Sequence, residues 1–490
     1  MIQLIENAFQ FASKTAITCD ETSYTYSQLL ERSAEIAGCL LNGRTDLKEA
    51  RIGFIVDPGF EYVAIQWGIW KAGGVAVPLC VKHPFVSLQY VMEDTAAEKL
   101  IFSETYKDLI APFAELDDKL LVNLKDIGEE NVELPDVGSD RRALILYTSG
   151  TTGKPKGVVS THDNLDAQMR TLVEAWEWQQ KDHILNVLPL HHIHGILNAT
   201  CTPLYVGAQI TFLPKFDPLA VFDLFLHGGI SVFMAVPTIY FKLASLYDEL
   251  TKAKQLEITE KLQTFRLLVS GSAALPISVL EQWKAISGHT LLERYGMTEI
   301  GMAISNPLHG ERRPGHIGKP LPNVEVRLAN EADEEIYGEP GEIQIKGPNV
   351  FKEYWKRADA TAESFTADGW FKTGDTAVLE SGYYRILGRN SIDIIKSGGY
   401  KISALEIEEV LRKYEGIKDC GVVGLPDDEW GEIIGASLIA DESDIDLNKL
   451  NSWLREQLPN YKIPRKYIFQ EDLPRNVMGK VTKNELKNLF

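Results

Sequence analysis

The stretch "YTSGTTGKPKG", from Tyr147 to Gly157, directly follows the apolar run "RALIL" and holds three glycines, four serine or threonine hydroxyls and two lysines. Glycines let a backbone approach a phosphate closely, hydroxyl and amide groups donate hydrogen bonds to it, and lysines add positive charge. A Walker loop has four residues between its first glycine and its Gly-Lys pair, whereas two residues separate Gly150 from Gly153. A flexible surface turn would explain the glycines but not the hydroxyls and lysines. The stretch therefore predicts a phosphate-binding loop of a different class.

The apolar runs around this loop predict an α/β fold. Residues 50–56, 74–80, 142–148, 183–190 and 265–271 have the length and apolar character of buried strands. The helical pattern "FEYVAIQWGIWKAG" follows the first of them. Alternation of this kind favours a largely parallel sheet, in which ligands gather at the carboxyl ends of the strands. Two runs end in the small-residue turns "TSGTTGKPKG" and "SGSAALP", which are therefore the expected binding edge.

The chain changes character after about residue 320. Short segments such as "NVEVRLAN", "GEIQIKG" and "DTAVLESGYYRILGR", separated by turn residues, predict hairpins or a small β unit. A compact α+β unit follows, in which Ser403 and Glu406 form a predicted capping box before a helix. We expect a large domain at residues 1–389, a hinge at 390–393 and a small mobile domain at 394–490.

The composition limits the classes of partner. The net charge is 50 − 69 = −19, which argues against general affinity for nucleic acid or for anionic membranes. The five cysteines lack metal-ligand spacing and indicate reduced thiols of a cytoplasmic protein. No stretch reaches the ~20 apolar residues of a membrane span. The sequence gives no indication of protein partners.

The stretch "YTSGTTGKPKGVV" resembles the signature of the adenylate-forming superfamily, which includes acyl-CoA synthetases, luciferases and peptide-synthetase adenylation domains. Further motifs follow in the same order along almost the whole chain: "VSGSAALP" (269–276), "YGMTE" (295–299), "KTGD" (372–375), "YRILGR" (384–389), "IIKSGGYKIS" (394–403) and "PRNVMGK" (474–480). The resemblance implies a large N-terminal ATP- and acyl-binding domain of two α/β lobes plus a small β-barrel, with a small mobile α+β domain at the C-terminus.

The resemblance also implies an enzyme with two half-reactions. A carboxylate attacks the α-phosphorus of ATP to give an acyl-adenylate and pyrophosphate, and the thiol of coenzyme A then displaces AMP. The implied ligands are thus a small carboxylic acid, ATP, CoA and Mg²⁺. The metal ion offsets the repulsion between the carboxylate and the triphosphate.

The matching motifs assign residues to the first half-reaction. Glu299 and Thr151 would hold Mg²⁺, and Thr298 would donate to the α-phosphate. Lys480 matches the mobile lysine that bridges the carboxylate and the α-phosphate. The residues of the phosphate loop are Thr148, Ser149, Gly150, Thr151, Thr152, Gly153, Lys154 and Lys156.

The same resemblance assigns the nucleoside and thiol sites. Asp375 and Arg389 match the pair that holds the ribose hydroxyls. After rotation of the small domain, a loop with Gly398, Gly399 and Lys401 would guide the thiol. Three residues, rather than the commoner two, separate Arg389 from Asp393, so the resemblance does not fix the pivot of the hinge. The implied adenine slot consists of Ser272, Ala273, Glu293 and Tyr295.

The segment "PLHHIHG" contains His191, His192 and His194, which suggests a zinc site. The spacing fits no usual zinc pattern, and no cysteine or acidic partner is evident. By resemblance the segment lines the acyl pocket and the thiol tunnel, with His192 as the gate.

Arg294, in "ERYGMTEI", is the best candidate for selecting the acid, and we expect it beside a half-buried turn. A short diacid needs a fixed cation for its second carboxylate, and a guanidinium can bind a carboxylate through two parallel hydrogen bonds. The combination of "LLVSGSAALP" with "LLERYGMTEIGMAISNPL" is similar to malonyl-CoA synthetases, in which this arginine contacts the distal carboxylate. Lys242 stands where those enzymes have a second arginine, so the positive charge is kept and the planar two-donor geometry of a guanidinium is lost.

Malonate or methylmalonate is therefore the expected acid, and three different functions stay open beside it. The first is a CoA ligase for a medium-chain or aromatic acid. The second is a free-standing adenylation enzyme that loads a carrier protein. The third is a nucleotide-binding protein without catalysis, although such a protein should have lost Lys480 or Glu299, and both are present.

Overall fold

The computed structural model describes residues 2–116, 120–128, 132–148, 155–389, 392–397, 400–427, 429–475 and 481–490, without the side chains of Leu116 and Lys401. The chain forms two compact units. The first comprises Met1–Arg312, Lys319–Glu325 and Ile345–Gly369, and the second comprises Arg313–Gly318, Val326–Gln344 and Trp370–Phe490. The predicted hinge at 390–393 falls inside the second unit, and its role as a pivot stays a prediction.

The helices alternate with strands through most of the first unit. In chain order they are α1 (Gln3–Phe9), α2 (Tyr26–Leu41), α3 (Phe60–Lys71), α4 (Phe85–Thr95), α5 (Lys107–Leu116), α6 (His162–Trp176), α7 (Thr202–Tyr205), α8 (Pro218–His227), α9 (Pro237–Glu249), α10 (Lys252–Gln263), α11 (Ile277–Ser287), α12 (Ala358–Glu363), α13 (Ala404–Leu411), α14 (Leu447–Gln457) and α15 (Lys483–Lys487). A π-helix covers His194–Cys201.

The strands are, in the same order, β1 (Thr15–Cys19), β2 (Thr22–Thr25), β3 (Arg51–Ile55), β4 (Val75–Pro78), β5 (Lys99–Phe102), β6 (Leu121–Asn123), β7 (Arg142–Thr148), β8 (Lys156–Thr161), β9 (His183–Asn186), β10 (Gln209–Phe212), β11 (Val232–Ala235), β12 (Leu267–Ser270), β13 (Leu292–Met297), β14 (Gly301–Ser305), β15 (Lys319–Pro320), β16 (Glu325–Ala329), β17 (Gly341–Lys346), β18 (Glu353–Tyr354), β19 (Phe371–Glu380), β20 (Tyr383–Arg389), β21 (Ile394–Ser397), β22 (Tyr400–Ser403), β23 (Asp419–Asp427), β24 (Gly431–Ile439) and β25 (Lys466–Phe469).

The larger sheet of the first unit has the order β15-β14-β13-β12-β11-β9-β10-β1-β2. Its central pairs, from β1 to β13, are parallel, and its edge pairs are antiparallel. Helices α8 to α11 cover it with an apolar core that includes Phe225, Phe233, Tyr240 and Trp283. Ser270, the last residue of β12, pairs with Glu293 of β13. The segment after β12 therefore lies directly beside Arg294.

The second sheet of this unit has the order β18-β8-β7-β4-β3-β5-β6. Strand β7 occupies the predicted residues 142–148, which confirms that prediction. It pairs with β8 in an antiparallel hairpin in which Thr148 stands opposite Lys156. The two ends of the predicted phosphate loop are therefore held side by side by backbone pairing.

The second unit contains two smaller sheets. One has the order β16-β17-β19-β20 and occupies the region for which a small β-barrel is predicted. The other has the order β22-β21-β24-β23, with β25 paired in parallel to β24. Helices α13 and α14 bury Ile407, Leu411, Leu450 and Leu454 in the core of this sheet.

Half of the predicted capping box forms at α13. The side chain of Ser403 accepts a hydrogen bond from the backbone N–H of Glu406. The carboxylate of Glu406 instead pairs with the Lys462 ammonium, both oxygens lying at 2.7 Å. A charged partner 56 residues away outcompetes the local backbone N–H, because hydrogen bonds to charged groups are the stronger ones.

Among the described helices, none has the length and apolar character needed to cross a membrane.

Candidate active site

Arg294 lies inside strand β13, where it pairs with Ser305 of β14, and only 4% of the residue is exposed. Arg294 itself lies in the strand, and the turn expected near it begins at Thr298, which is half-buried. Strand β13 is an interior strand, paired on both sides, and its first four residues are all buried. A charged side chain at such a position is rare unless it has a partner.

The guanidinium of Arg294 packs against the backbone of Gly271. A Cβ atom at position 271 would lie 2.4 Å from Cζ of Arg294, so any larger residue there would displace the guanidinium. The next residue, Ser272, has a φ angle of +69°. This left-handed conformation is uncommon outside glycine. The turn after β12 is thus shaped around the arginine.

Ser272 links Arg294 to His194. The Ser272 hydroxyl lies 3.5 Å from Nη2 of Arg294, which donates to it. The same hydroxyl lies 3.1 Å from Nδ1 of His194, at the start of the π-helix. Burial, and then the positive charge of Arg294, hold the pKa of His194 well below its ordinary value. The imidazole is therefore neutral, and Arg294 supplies the positive charge of this cluster.

Arg294 has no ion pair with a carboxylate among the described residues, and its Nε has no hydrogen-bond acceptor there. Burial lowers the pKa of Arg294 to about 9. That value still leaves the guanidinium protonated at neutral pH. A buried, charged guanidinium with unused donors is a strong binding site for an anion.

Glu299 lies in the turn between β13 and β14 and is 5% exposed. Its Oε1 accepts a hydrogen bond of 2.9 Å from the Tyr354 hydroxyl. Its carbonyl oxygen accepts a bond of 2.7 Å from the backbone N–H of Phe351. The Lys156 ammonium lies 5.0 Å from the centre of the Tyr354 ring. Tyr354 therefore connects the carboxylate predicted to hold the metal ion with the hairpin that carries the phosphate loop.

The remaining predicted residues of the first unit lie in differing environments. Glu293 and Tyr295 are buried in β13, Thr298 is half-buried in the following turn, and Ala273 is exposed. Lys242 is exposed on α9. Their assigned contacts with adenine, phosphate and acid stay predictions.

His191 and His192 lie against each other, with ring centres 4.1 Å apart. Burial, and then the neighbouring His192, lower the pKa of His191 to about 2. A neutral His191 ring suits an apolar wall better than a charged one. The gating role of His192 stays a prediction.

The predicted ribose pair lies in the second unit. Asp375 and Arg389 stand opposite each other on β19 and β20, and Nε of Arg389 donates to Oδ1 of Asp375 at 3.0 Å. The Asp375 backbone N–H donates a hydrogen bond of 3.1 Å to the Thr373 hydroxyl, which fixes the backbone at Asp375. An ion pair presents the carboxylate in one orientation, as binding of two adjacent hydroxyls requires.

Replacement of Asp375 by asparagine is expected to raise the KM for ATP about tenfold, because one charged acceptor for the ribose hydroxyls is lost. The KM for the acid should stay within about twofold. Steady-state kinetics with each substrate varied in turn measures both values. A rise in the KM for the acid, without a rise in the KM for ATP, would contradict the proposed contact of Asp375 with the ribose.

Several predicted residues fall outside the described part of the chain: Ser149, Gly150, Thr151, Thr152, Gly153, Lys154, Gly398, Gly399 and Lys480. The backbone of Lys401 is described and its side chain is not.

The profile of the AMP-binding enzymes matches residues 4–355, and that of their C-terminal domain matches residues 406–480. The chain belongs to the AMP-binding enzyme family. A relative from Homo sapiens, the mitochondrial malonate–CoA ligase ACSF3, is 43% identical to it over 99% of this chain and 91% of its own. A malonate–CoA ligase of Arabidopsis thaliana is 42% identical over 99% of this chain and 88% of its own.

The crystal structure of ATP-bound MatB from Rhodopseudomonas palustris is similar to this AMP-binding enzyme, with a TM-score of 0.91 and 34% identity over 100% of this chain and 98% of that chain. These matches confirm the predicted superfamily and the mixed α/β fold with a large N-terminal and a small C-terminal domain. They also confirm that the chain is an enzyme.

Two residues of the site of this AMP-binding enzyme are not identified by its sequence. Tyr354 contacts Glu299 across 55 positions of chain, and no local motif marks it. The sequence places His194 in the segment expected to line the acyl pocket and the thiol tunnel, without a role of its own, whereas its Nδ1 lies against the hydroxyl of Ser272. The adjacent "SGSAA" turn points to Ser272, but the link between the two residues depends on the packing of the π-helix against the end of β12.

Proposed function

We propose that this enzyme is a malonate–CoA ligase. In the first half-reaction one carboxylate oxygen of malonate attacks the α-phosphorus of ATP, and the bond to pyrophosphate breaks. In the second, the thiolate of CoA attacks the acyl carbon of malonyl-adenylate and AMP leaves. The products are malonyl-CoA, AMP and pyrophosphate.

The observation that carries the choice of acid is the buried Arg294 guanidinium with unused donors. A pocket for an alkyl or aryl acid would need only apolar walls, and a buried charge without an anion would weaken binding there. A malonate bound through its reacting carboxylate still carries a second one. That second carboxylate supplies the two acceptors that the guanidinium lacks.

Ser272 and His194 support the same orientation. The neutral imidazole of His194 lies within hydrogen-bond distance of the Ser272 hydroxyl, which in turn lies beside the guanidinium. A second cation in place of His194 would double the positive charge and would favour a dianionic group. The single positive charge of Arg294 therefore matches the single negative charge of the second carboxylate of malonate.

The exposed Lys242 is the second candidate cation for the acid, at a greater entropic cost than a buried group because its side chain is free to move. The fixed guanidinium of Arg294 and the mobile ammonium of Lys242 together favour a short diacid over a monocarboxylate. They discriminate less strictly between malonate and methylmalonate, since the added methyl group is apolar.

The residues present fit Mg²⁺, since Glu299 offers a buried carboxylate, the hard oxygen ligand that this ion prefers. When bound, the ion would neutralise charge on the phosphates. Glu299 is held in place by Tyr354, and Lys156 and Thr148 bracket the phosphate loop. Lys480 would complete the charge balance at the α-phosphate, as the sequence predicts.

An acid panel tests the proposal. The enzyme is incubated with ATP, Mg²⁺ and CoA, and AMP release is measured for malonate, methylmalonate, succinate, acetate, octanoate and benzoate. We expect kcat/KM for malonate to exceed that for acetate or octanoate by about a hundredfold, the value of a buried ionic contact. Faster turnover of octanoate or benzoate would favour a medium-chain or aromatic CoA ligase instead.

The same panel without CoA distinguishes an adenylating enzyme from a protein that only binds nucleotide. Pyrophosphate exchange into ATP with malonate alone identifies an adenylating enzyme, and its absence would favour a nucleotide-binding protein. Exchange without consumption of free CoA would favour transfer to a carrier protein.

We infer a reducing compartment for the enzyme from its cysteines, which form no disulfide among the described residues: Cys19, Cys39, Cys80, Cys201 and Cys420. The sequence favours the cytoplasm, whereas the human relative is named as mitochondrial. Fractionation of cells with an antibody against the chain decides between these two compartments.

A further inference from the structure

Lys483, at the start of α15, is a buried lysine with two acidic partners. Only 6% of the residue is exposed. Its ammonium lies 2.7 Å from Oδ1 of Asp393 and 2.8 Å from Oε1 of Glu408. Burial alone would lower the pKa of Lys483, but Glu408 and Asp393 raise it overall. The side chain is therefore charged and joins two carboxylates from different parts of the second unit.

Asp393 is the last residue of the predicted hinge. Its Oδ2 accepts a hydrogen bond of 3.1 Å from the backbone N–H of Arg389, at the end of β20. Its carbonyl oxygen accepts a bond of 2.8 Å from the backbone N–H of Ala404, the first residue of α13. Lys483 thus binds a residue that joins the end of β20 to the start of α13.

Glu408 extends the ionic cluster towards a second arginine. Its Oε1 accepts from the backbone N–H of Val422 at 2.9 Å, and its Oε2 lies 3.5 Å from Nη2 of Arg412. Arg412 donates through Nε to Oδ1 of Asp419 at 3.0 Å. The other oxygen of Asp419 lies 2.5 Å from Nη2 of Arg475. The cluster therefore runs without a break from Asp393 to Arg475.

Arg475 and Lys483 flank the segment that ends in Lys480. Arg475 pairs with Val481 in an antiparallel bridge, and the backbone N–H of Thr482 donates to the Pro474 carbonyl at 2.8 Å. The chain therefore enters and leaves residues 476–480 side by side. Both flanks are bound to the same ionic cluster, one through Asp419 and the other through Glu408 and Asp393.

We propose that Lys483 is a positioning residue for the adenylation half-reaction, acting through Asp393 and through the base of the segment that carries Lys480. The inference rests on the proposed function, in which Lys480 acts during adenylation and leaves before thioester formation. Loss of the Lys483 ammonium removes the cation shared by the half-buried Asp393 carboxylate and the buried Glu408 carboxylate, so the two must separate or take up water. The base of the segment then shifts, and a shift of one ångström at a reacting group is enough to slow the step it serves.

The test measures the two half-reactions separately in the full-length enzyme. Pyrophosphate exchange into ATP with malonate reports adenylation. Release of free CoA from malonyl-CoA and AMP reports thioester formation in reverse. Lys483→Met is expected to lower the exchange rate by about 10- to 100-fold and the rate of CoA release by less than about threefold.

Three further variants make the result specific. Lys483→Arg keeps the charge and should restore most of the exchange rate. Arg475→Gln removes the other flank's contact at a more exposed position, where folding is less at risk, and should show the same selective loss. Lys487→Met is the matched control on α15, because its ammonium lies 3.8 Å from Glu432, outside the cluster, and it should leave both rates unchanged.

Equal losses in the two half-reactions for Arg475→Gln and Lys483→Met would show a merely structural role and overturn the inference, as would an exchange rate in Lys483→Met equal to that of the wild type. If Lys483→Met does not fold, Arg475→Gln alone decides between these results. A wild-type enzyme that exchanges pyrophosphate with no acid would overturn the proposed function, and this inference with it.

Discussion

Replacement of Arg294 by methionine is expected to lower kcat/KM for malonate by about 100- to 1,000-fold. Two parallel charge-assisted hydrogen bonds contribute about 1.5–2 kcal/mol each, and each 1.4 kcal/mol corresponds to a factor of ten. The loss should fall mainly on the KM for malonate, because the distal carboxylate takes no part in bond making and is bound in the ground state as well as in the transition state. The KM for ATP should stay the same. Steady-state kinetics with malonate, and with acetate as a monocarboxylate, measures the change.

The same substitution is expected to stabilise the ligand-free enzyme. An unpaired buried charge opposes folding, and a methionine of similar length fills the space beside Gly271 without that penalty. The midpoint of thermal unfolding should therefore rise, although the enzyme has lost its selectivity. Binding-site groups commonly lower the stability of the ligand-free protein in this way, because they are arranged to bind a ligand.

Arg312 offers a matched control. It is a partly buried arginine of the first unit, and its guanidinium donates to the carbonyl oxygens of Thr290, Pro307 and Leu308. Arg312→Met should lower the unfolding midpoint and leave the ratio of malonate to acetate kinetics unchanged. If Arg294→Met lowered both substrates' kcat/KM equally, the distal-carboxylate contact would be wrong.

The strands that frame the site could be predicted from the sequence because their apolar runs end in distinctive turns. Residues 142–148 form β7 as predicted, and the run at 265–271 contains β12. Such strands are buried on both faces, so their composition alone identifies them. The motifs then place the nucleotide residues at the ends of these strands.

The burial of Arg294 could not be predicted in the same way. Its neighbours Glu293 and Thr298 are polar, which locally favours a turn, whereas pairing with β12 and β14 makes the segment a strand. The space beside Gly271, 23 positions earlier, exists only in the folded sheet. The Glu406–Lys462 pair and the Tyr354–Glu299 bond escaped prediction for the same reason, since both join residues that are more than 50 positions apart.

Replacement of Glu299 by glutamine is expected to lower the adenylation rate by about 100- to 1,000-fold, the loss typical when a charged group that stabilises a phosphoryl transition state is removed. The amide oxygen can still accept the hydrogen bond from the Tyr354 hydroxyl, so the local packing is kept. The carboxylate charge is lost, and the Mg²⁺ concentration that gives half-maximal rate should rise about tenfold or more. Pyrophosphate exchange measured over a range of Mg²⁺ concentrations gives both values.

Tyr354→Phe separates the charge of Glu299 from its orientation. That variant keeps the carboxylate and removes the hydroxyl that fixes it, so adenylation should fall by about tenfold or less, with a smaller change in the Mg²⁺ requirement. A Glu299→Gln enzyme that adenylates malonate within about threefold of the wild-type rate, at the same Mg²⁺ concentration, would remove Glu299 from the metal site. The metal ion would then have to be held by the phosphates and the hydroxyls of the phosphate loop.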